Sequence, residues 1–171
     1  MSSVGKITSQ THHDKSSFRK LLDSLVQSTL IYHSFLLLTD LDACACPSLL
    51  VTEWLAHPRH QHFLLRVAVR EVESWLLGDG PGLSTFLGIK QVRANPNPEL
   101  LTNPKTTLLE LAMSSPRRMV REALVYKDKS SGQLAQGPDY NGTLAKFVAS
   151  DWNITAARRK CRSLDRLFLA L

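Results

Sequence analysis

The chain has 171 residues, of which 43% are hydrophobic and 21% charged, with a formal net charge of +6. That length suits one domain with a real core, and the composition excludes a wholly disordered chain. No apolar run approaches the roughly 18 residues of a membrane span, and Met1–Lys15 contains no apolar stretch of the signal-peptide type. Three cysteines make no disulfide framework, so the cytoplasm is the expected location.

Residues 1–14 read as a disordered tail, and residues 15–171 as a single α/β domain with a helical C-terminal third. Asp14 or Ser16 would cap a helix running to about Gln27, since Phe18, Leu21, Leu22, Leu25 and Val26 recur at helical spacing. The apolar run Ser34–Thr39 predicts a strand buried on both faces. Asp40-Leu41-Asp42 follows, and Pro47 suits the first turn of a helix over about Ser48–Ala56. His62–Val69 predicts a second buried strand, and Arg70–Leu77 a helix closed by Gly78 and Gly80. Beyond Pro81 the expected helices are Gly82–Leu87, Lys105–Met113, Arg117–Val125, Asn141–Ala149 and Thr155–Leu169. Gln91–Pro104 is a turn-rich connection, and Lys127–Pro138 a polar loop.

Strand, helix, strand, helix with short connections is a βαβ unit, which places the two strands as parallel neighbours in a small, mostly parallel sheet. Ligands of open α/β sheets bind beyond the carboxyl ends of the strands. Asp40 and Asp42 follow the first strand; Glu71 and Glu73 follow the second. In an extended loop, acids one residue apart point the same way, so all four carboxylates are expected on one edge of the sheet. Like charges held together repel, and a hard divalent cation such as Mg²⁺ (or Mn²⁺) relieves that repulsion and can polarise a phosphoryl group. The expected metal ligands are Asp40, Asp42 and Glu73, with Glu71 as a further catalytic candidate. Arg70 and Lys105 are the expected phosphate contacts. A plainer reading also fits these residues: an Asp after a strand caps the next turn, Glu71 caps its own helix, and Arg66 or Arg70 pairs with an acid.

The segments FLLLTDLD, the following Cys-Pro, RVAVREVESWLLGD, NPKTTLLELA and GPDYNGTLAKFV resemble a bacterial Toprim-like family of unknown function, domain family 4276. The resemblance covers most of residues 34–150. It implies a Mg²⁺-dependent acidic site of the kind used by topoisomerases, primases and some defence nucleases, with Asp40 and Asp42 as the Asp-x-Asp pair. It also implies an AAA-type ATPase partner, because relatives are often encoded beside one. The sequence departs from the Toprim pattern at its start, where a strand ending in Glu is expected; no Glu precedes Glu53. That departure leaves a non-catalytic interaction module, or a truncated remnant of the family, as the alternative reading.

Two further constellations complete the sequence. Cys44, Cys46, His57, His60 and His62 match zinc ligands in type but not in the spacing of a common zinc module, and small buried thiols with surface histidines explain them as well. Residues 1–115 hold ten Lys/Arg against ten Asp/Glu, whereas residues 116–171 hold eleven against five. This basic third, with Arg117, Arg118, Arg121, Arg158, Arg159, Lys160, Arg162 and Arg166, is the candidate contact for nucleic acid; a solvated helix surface is the plainer account. No Gly-rich phosphate loop is present, which argues against an intrinsic ATPase.

Overall fold

A computed structural model of the chain describes residues 22–27, 34–55, 62–90 and 95–171. The expected tail at residues 1–14, the start of the first helix, and His57 and His60 lie outside them. The fold is mixed α/β. In chain order the elements are helical residues 22–27 (α1), β1 (Phe35–Asp40), α2 (Pro47–Trp54), β2 (Phe63–Ala68), α3 (Glu73–Gly78) and α4 (Gly80–Leu87). A 3-10 turn at Pro98–Leu100 precedes α5 (Pro104–Met113), α6 (Arg118–Leu124), β3 (Val125–Lys127), β4 (Leu134–Gln136), α7 (Tyr140–Ser150), α8 (Ile154–Arg158) and α9 (Arg162–Phe168). The expected parallel pair is present as β1 beside β2, and β3 and β4 form a separate antiparallel hairpin.

The chain divides into two compact units. The first lies within Met1–Leu37 and Ser48–Leu65. Its core is Leu22, Phe63 and Leu65, packed with Leu25, Val26, Phe35, Leu37, Val51, Trp54 and Leu55. Here Phe35 N donates to the His62 carbonyl at 2.8 Å.

The second unit comprises Leu38–Pro47 and Arg66–Leu171. In it Leu41 N donates to the Ala68 carbonyl and Asp42 N to that of Arg70, each at 2.9 Å, so the carboxyl ends of both strands run side by side. One cluster joins Leu83, Leu87, Leu108, Leu124 and Phe147, all fully buried. Another joins Ala68, Trp75, Ala157, Cys161, Leu164 and Leu167. These two clusters seat α3, every residue of which is buried.

Three expectations need correction. First, β1 is not covered on both faces: Leu36 and Leu38 are 47% and 41% exposed, and the apolar run hides an in-out alternation. Second, the helix expected over Thr155–Leu169 is broken into α8 and α9. Cys161 takes extended backbone there, and the buried Glu99 carboxylate accepts the N–H groups of Arg162 and Ser163 at 3.0 and 2.9 Å. An acid 63 residues away thus restarts the helix by satisfying the orphan donors of its first turn. Third, the polar loop Lys127–Pro138 contains β4, whose three residues pair with β3. Strands that short carry too little alternation to be seen in a sequence.

Candidate acidic site

All the candidate residues belong to the second unit. Asp40 is the last residue of β1 and is half-buried; its Oδ1 accepts from Val72 N at 2.8 Å. Burial pushes its carboxyl up to about 6, partly offset by that N–H donor, while the negative charges of Glu73 and Asp42 push the same way as burial and Lys105 opposes them. Asp40, Glu73, Asp42 and Lys105 therefore share one electrostatic neighbourhood.

Glu73 opens α3 and is only 4% exposed, because the helix it starts is buried throughout. Its Oε1 accepts the phenol of Tyr140 at 2.9 Å and lies 3.7 Å from the ammonium of Lys105. Its Oε2 is buried and has no hydrogen-bond partner among the described residues. The Tyr140 phenol is held protonated by burial first and by the adjacent Glu73 charge second. Glu71 sits just before the helix. Its Oε2 accepts Lys105 N at 2.9 Å, and its Oε1 lies 3.8 Å from Lys105 Nζ. Glu71 therefore does not cap its own helix; it pins the first turn of α5, where orphan N–H groups and the helix dipole favour an anion.

Asp42 and Arg70 are arranged differently from the expectation. The extended backbone expected across Asp40–Asp42 is a turn, with Asp42 at φ 48° and exposed. Arg70 also has positive φ, at 30°, and its Nη1 donates to the Asp42 carbonyl at 3.2 Å. Two adjoining loops thus each hold a non-glycine residue in the left-handed region and brace one another through Asp42 N and Arg70 Nη1. Backbone strain of this kind costs on the order of 1–3 kcal/mol per residue and gathers at binding sites. Arg70 also explains why α3 starts at Glu73 and not at Arg70, since its backbone leaves the helical region.

Four of the five segments singled out in the sequence thus meet here: Asp40 from FLLLTDLD, Glu71 and Glu73 from RVAVREVESWLLGD, Lys105 from NPKTTLLELA and Tyr140 from GPDYNGTLAKFV. No protein-family model matches the chain, and no curated protein or solved structure matches it significantly.

The site is a partly buried anionic cluster with one built-in cation. Among the described residues, no group of three or more His, Cys, Asp or Glu side chains is assembled to hold a metal ion. The orphaned Oε2 of Glu73 nevertheless fits a cation in place of a hydrogen-bond donor, and Mg²⁺ commonly takes only one or two carboxylates and keeps several waters. Of the zinc-type set, Cys44 and Cys46 are half-buried, Cys44 Sγ donates to the Cys46 carbonyl at 3.7 Å, and His62 is exposed. Tyr140 is the residue the sequence analysis did not single out, where it stands only within the segment GPDYNGTLAKFV. Its signal was a phenol placed directly after Gly137-Pro138-Asp139, where a buried hydroxyl requires a partner.

The basic third is partly used inside the fold. Arg117 Nη1 and Arg121 Nη1 donate to the carbonyls of Phe86 and Ser115, and Arg118 pairs with Glu122. Arg158 pairs with Asp165 at 2.8 Å and lies over the Phe168 ring. Arg159, Arg162 and Arg166 have exposed positions. No helix among the described residues is long and apolar enough to cross a membrane.

Proposed function

We propose that this chain is a Mg²⁺-dependent, Toprim-type subunit that cleaves phosphodiesters or transfers phosphoryl groups on nucleic acid, working beside an AAA-type ATPase. The observation that carries the reading is the buried Glu73 carboxylate, with one oxygen unpartnered among the described residues, in the neighbourhood of an Asp40 carboxyl destabilised as an anion by burial first and by like charges second. In this reading Asp40 and Glu73 hold Mg²⁺, or Mn²⁺ in its place, with Asp42 within electrostatic range on the exposed turn. The ion supplies neutralising charge and polarises a phosphoryl oxygen. Tyr140 fixes the Glu73 carboxylate through Oε1, leaving Oε2 available. Glu71 anchors the start of α5 and so places Lys105. Arg70 and Lys105 offer cationic contacts to phosphate, and the exposed Arg159, Arg162 and Arg166 offer the wider contact to a nucleic-acid backbone.

A second reading, a non-catalytic interaction module, draws on a different observation: Lys105 already neutralises part of the Glu71 and Glu73 charge without any metal. Labelled single- and double-stranded DNA and RNA incubated with the chain and Mn²⁺ separate the two. Cleavage by the parent that is lost in Asp40→Asn supports the enzyme; cleavage equal in both, or absent from a parent that binds Mn²⁺, moves the chain to the interaction module.

A further inference from the structure

We infer that Lys105 is a displaceable internal counter-ion, which competes with a divalent cation for the Glu71 and Glu73 carboxylates and so sets the metal concentration at which the site fills. This rests on the metal-binding reading above. Lys105 makes two kinds of contact with the acids. Its backbone N–H, at 2.9 Å from Glu71 Oε2, is a normal hydrogen bond at the helix start and does not depend on the side chain. Its ammonium lies 3.8 Å from Glu71 Oε1 and 3.7 Å from Glu73 Oε1. Both distances exceed the roughly 2.7–2.9 Å of a charge-assisted hydrogen bond, so the ammonium is shared between two carboxylates and tightly bonded to neither.

The surroundings make this charge the movable one. The Lys105 side chain is 37% exposed, on a flexible four-carbon stem that reaches water by rotation. The Glu73 side chain is 5% exposed and held by Tyr140, so the carboxylate stays where it is. Its orphaned Oε2 lacks a donor that the ammonium, placed nearer Oε1, does not provide. A divalent ion at Glu73 would meet a positive charge already within 4 Å of the same carboxylate. Two cations that close repel, and the mobile one leaves. Lys105 thereby keeps the buried acid neutralised in the metal-free chain and weakens metal binding in return.

The test measures Mn²⁺ binding by calorimetry and by the signal of free Mn²⁺, with no catalytic readout, on the full chain. Lys105→Met removes the charge and keeps most of the stem; Lys105→Arg keeps the charge; both retain the backbone bond to Glu71. The expected result is about tenfold tighter Mn²⁺ binding by Lys105→Met than by the parent, with Lys105→Arg close to the parent. Adding Glu73→Gln to Lys105→Met should abolish the gain. Unchanged or weaker binding by a folded Lys105→Met, beside a parent that binds, overturns the counter-ion and leaves the metal site standing. Binding by Lys105→Met alone supports the inference in its strongest form. Binding by neither the parent nor either variant overturns both the inference and the metal reading.

Discussion

Asp40 ends β1 with its carboxyl half-buried and pushed up to about 6. Between about pH 4 and pH 6 the folded chain keeps a proton on this group that the unfolded chain has already released. The protonated carboxyl therefore contributes stability at low pH, and that contribution is lost as pH rises through about 6. Asp40→Asn keeps an oxygen for Val72 N and cannot titrate. The stability of the parent minus that of Asp40→Asn, from denaturant melts without metal, is expected to fall across that window and then level off. A difference that stays flat, or rises with pH, would show that Asp40 is not strained as an anion. The sequence makes Asp40 and Glu73 legible because each follows an apolar run whose strand must end at the sheet edge. It does not make the Tyr140 contact legible, since 67 residues separate phenol and carboxylate and only the folded chain joins them. Nor does it reveal the turn at Asp42, because positive φ at Asp42 and Arg70 is imposed by the mutual bonds of two loops and not by a glycine.

At the scale of elements, buried acids organise the helices from a distance. Asp79 accepts Gly82 N through Oδ1 at 3.1 Å and Asn153 N through Oδ2 at 2.7 Å, which separates α3 from α4 and fixes the entry to α8. Glu99 does the same for α9, and the Ser163 hydroxyl donates to its Oε1 while accepting from Trp75 Nε1 at 2.8 Å. Gly137 brings the end of β4 against α6, donating to the Leu124 carbonyl at 2.9 Å. A Cβ there would collide with the carbonyl of Ala123 and come within 2.8 Å of Val125 N. Gly137→Ala is accordingly expected to destabilise the chain by about 1–3 kcal/mol, as over-packing does, and to loosen the start of α7 that carries Tyr140. Chemical denaturation measures the loss; an unchanged midpoint would mean the backbone yields there at no cost. The starts of α5 and α7 are legible locally to within a residue, from Pro104 and from helical spacing, whereas α4, expected from Gly82, already begins at Gly80. The break between α8 and α9 is not, because Glu99 is the cap and stands in another segment.

Across the whole molecule, a neutral N-terminal two-thirds carries the acidic residues of the cluster and the C-terminal third is basic. Part of that basic charge closes the fold, through Arg117, Arg121 and Arg158 bonded to carbonyls or a carboxylate, while Arg159, Arg162 and Arg166 stay exposed. The proposed binding of a divalent cation by Asp40 and Glu73 is checked by the melting temperature of the full chain in millimolar Mg²⁺ or Mn²⁺. A ligand held only by the folded state stabilises it by about 2.7 kcal/mol at a hundred times its dissociation constant, which in a chain of this size moves the midpoint by several degrees. The account predicts an upward shift in the parent that is abolished in Glu73→Gln, with Ca²⁺-free monovalent salt at equal ionic strength giving no such shift. A parent whose midpoint does not move with either divalent ion, or a shift that persists undiminished in Glu73→Gln, would contradict it.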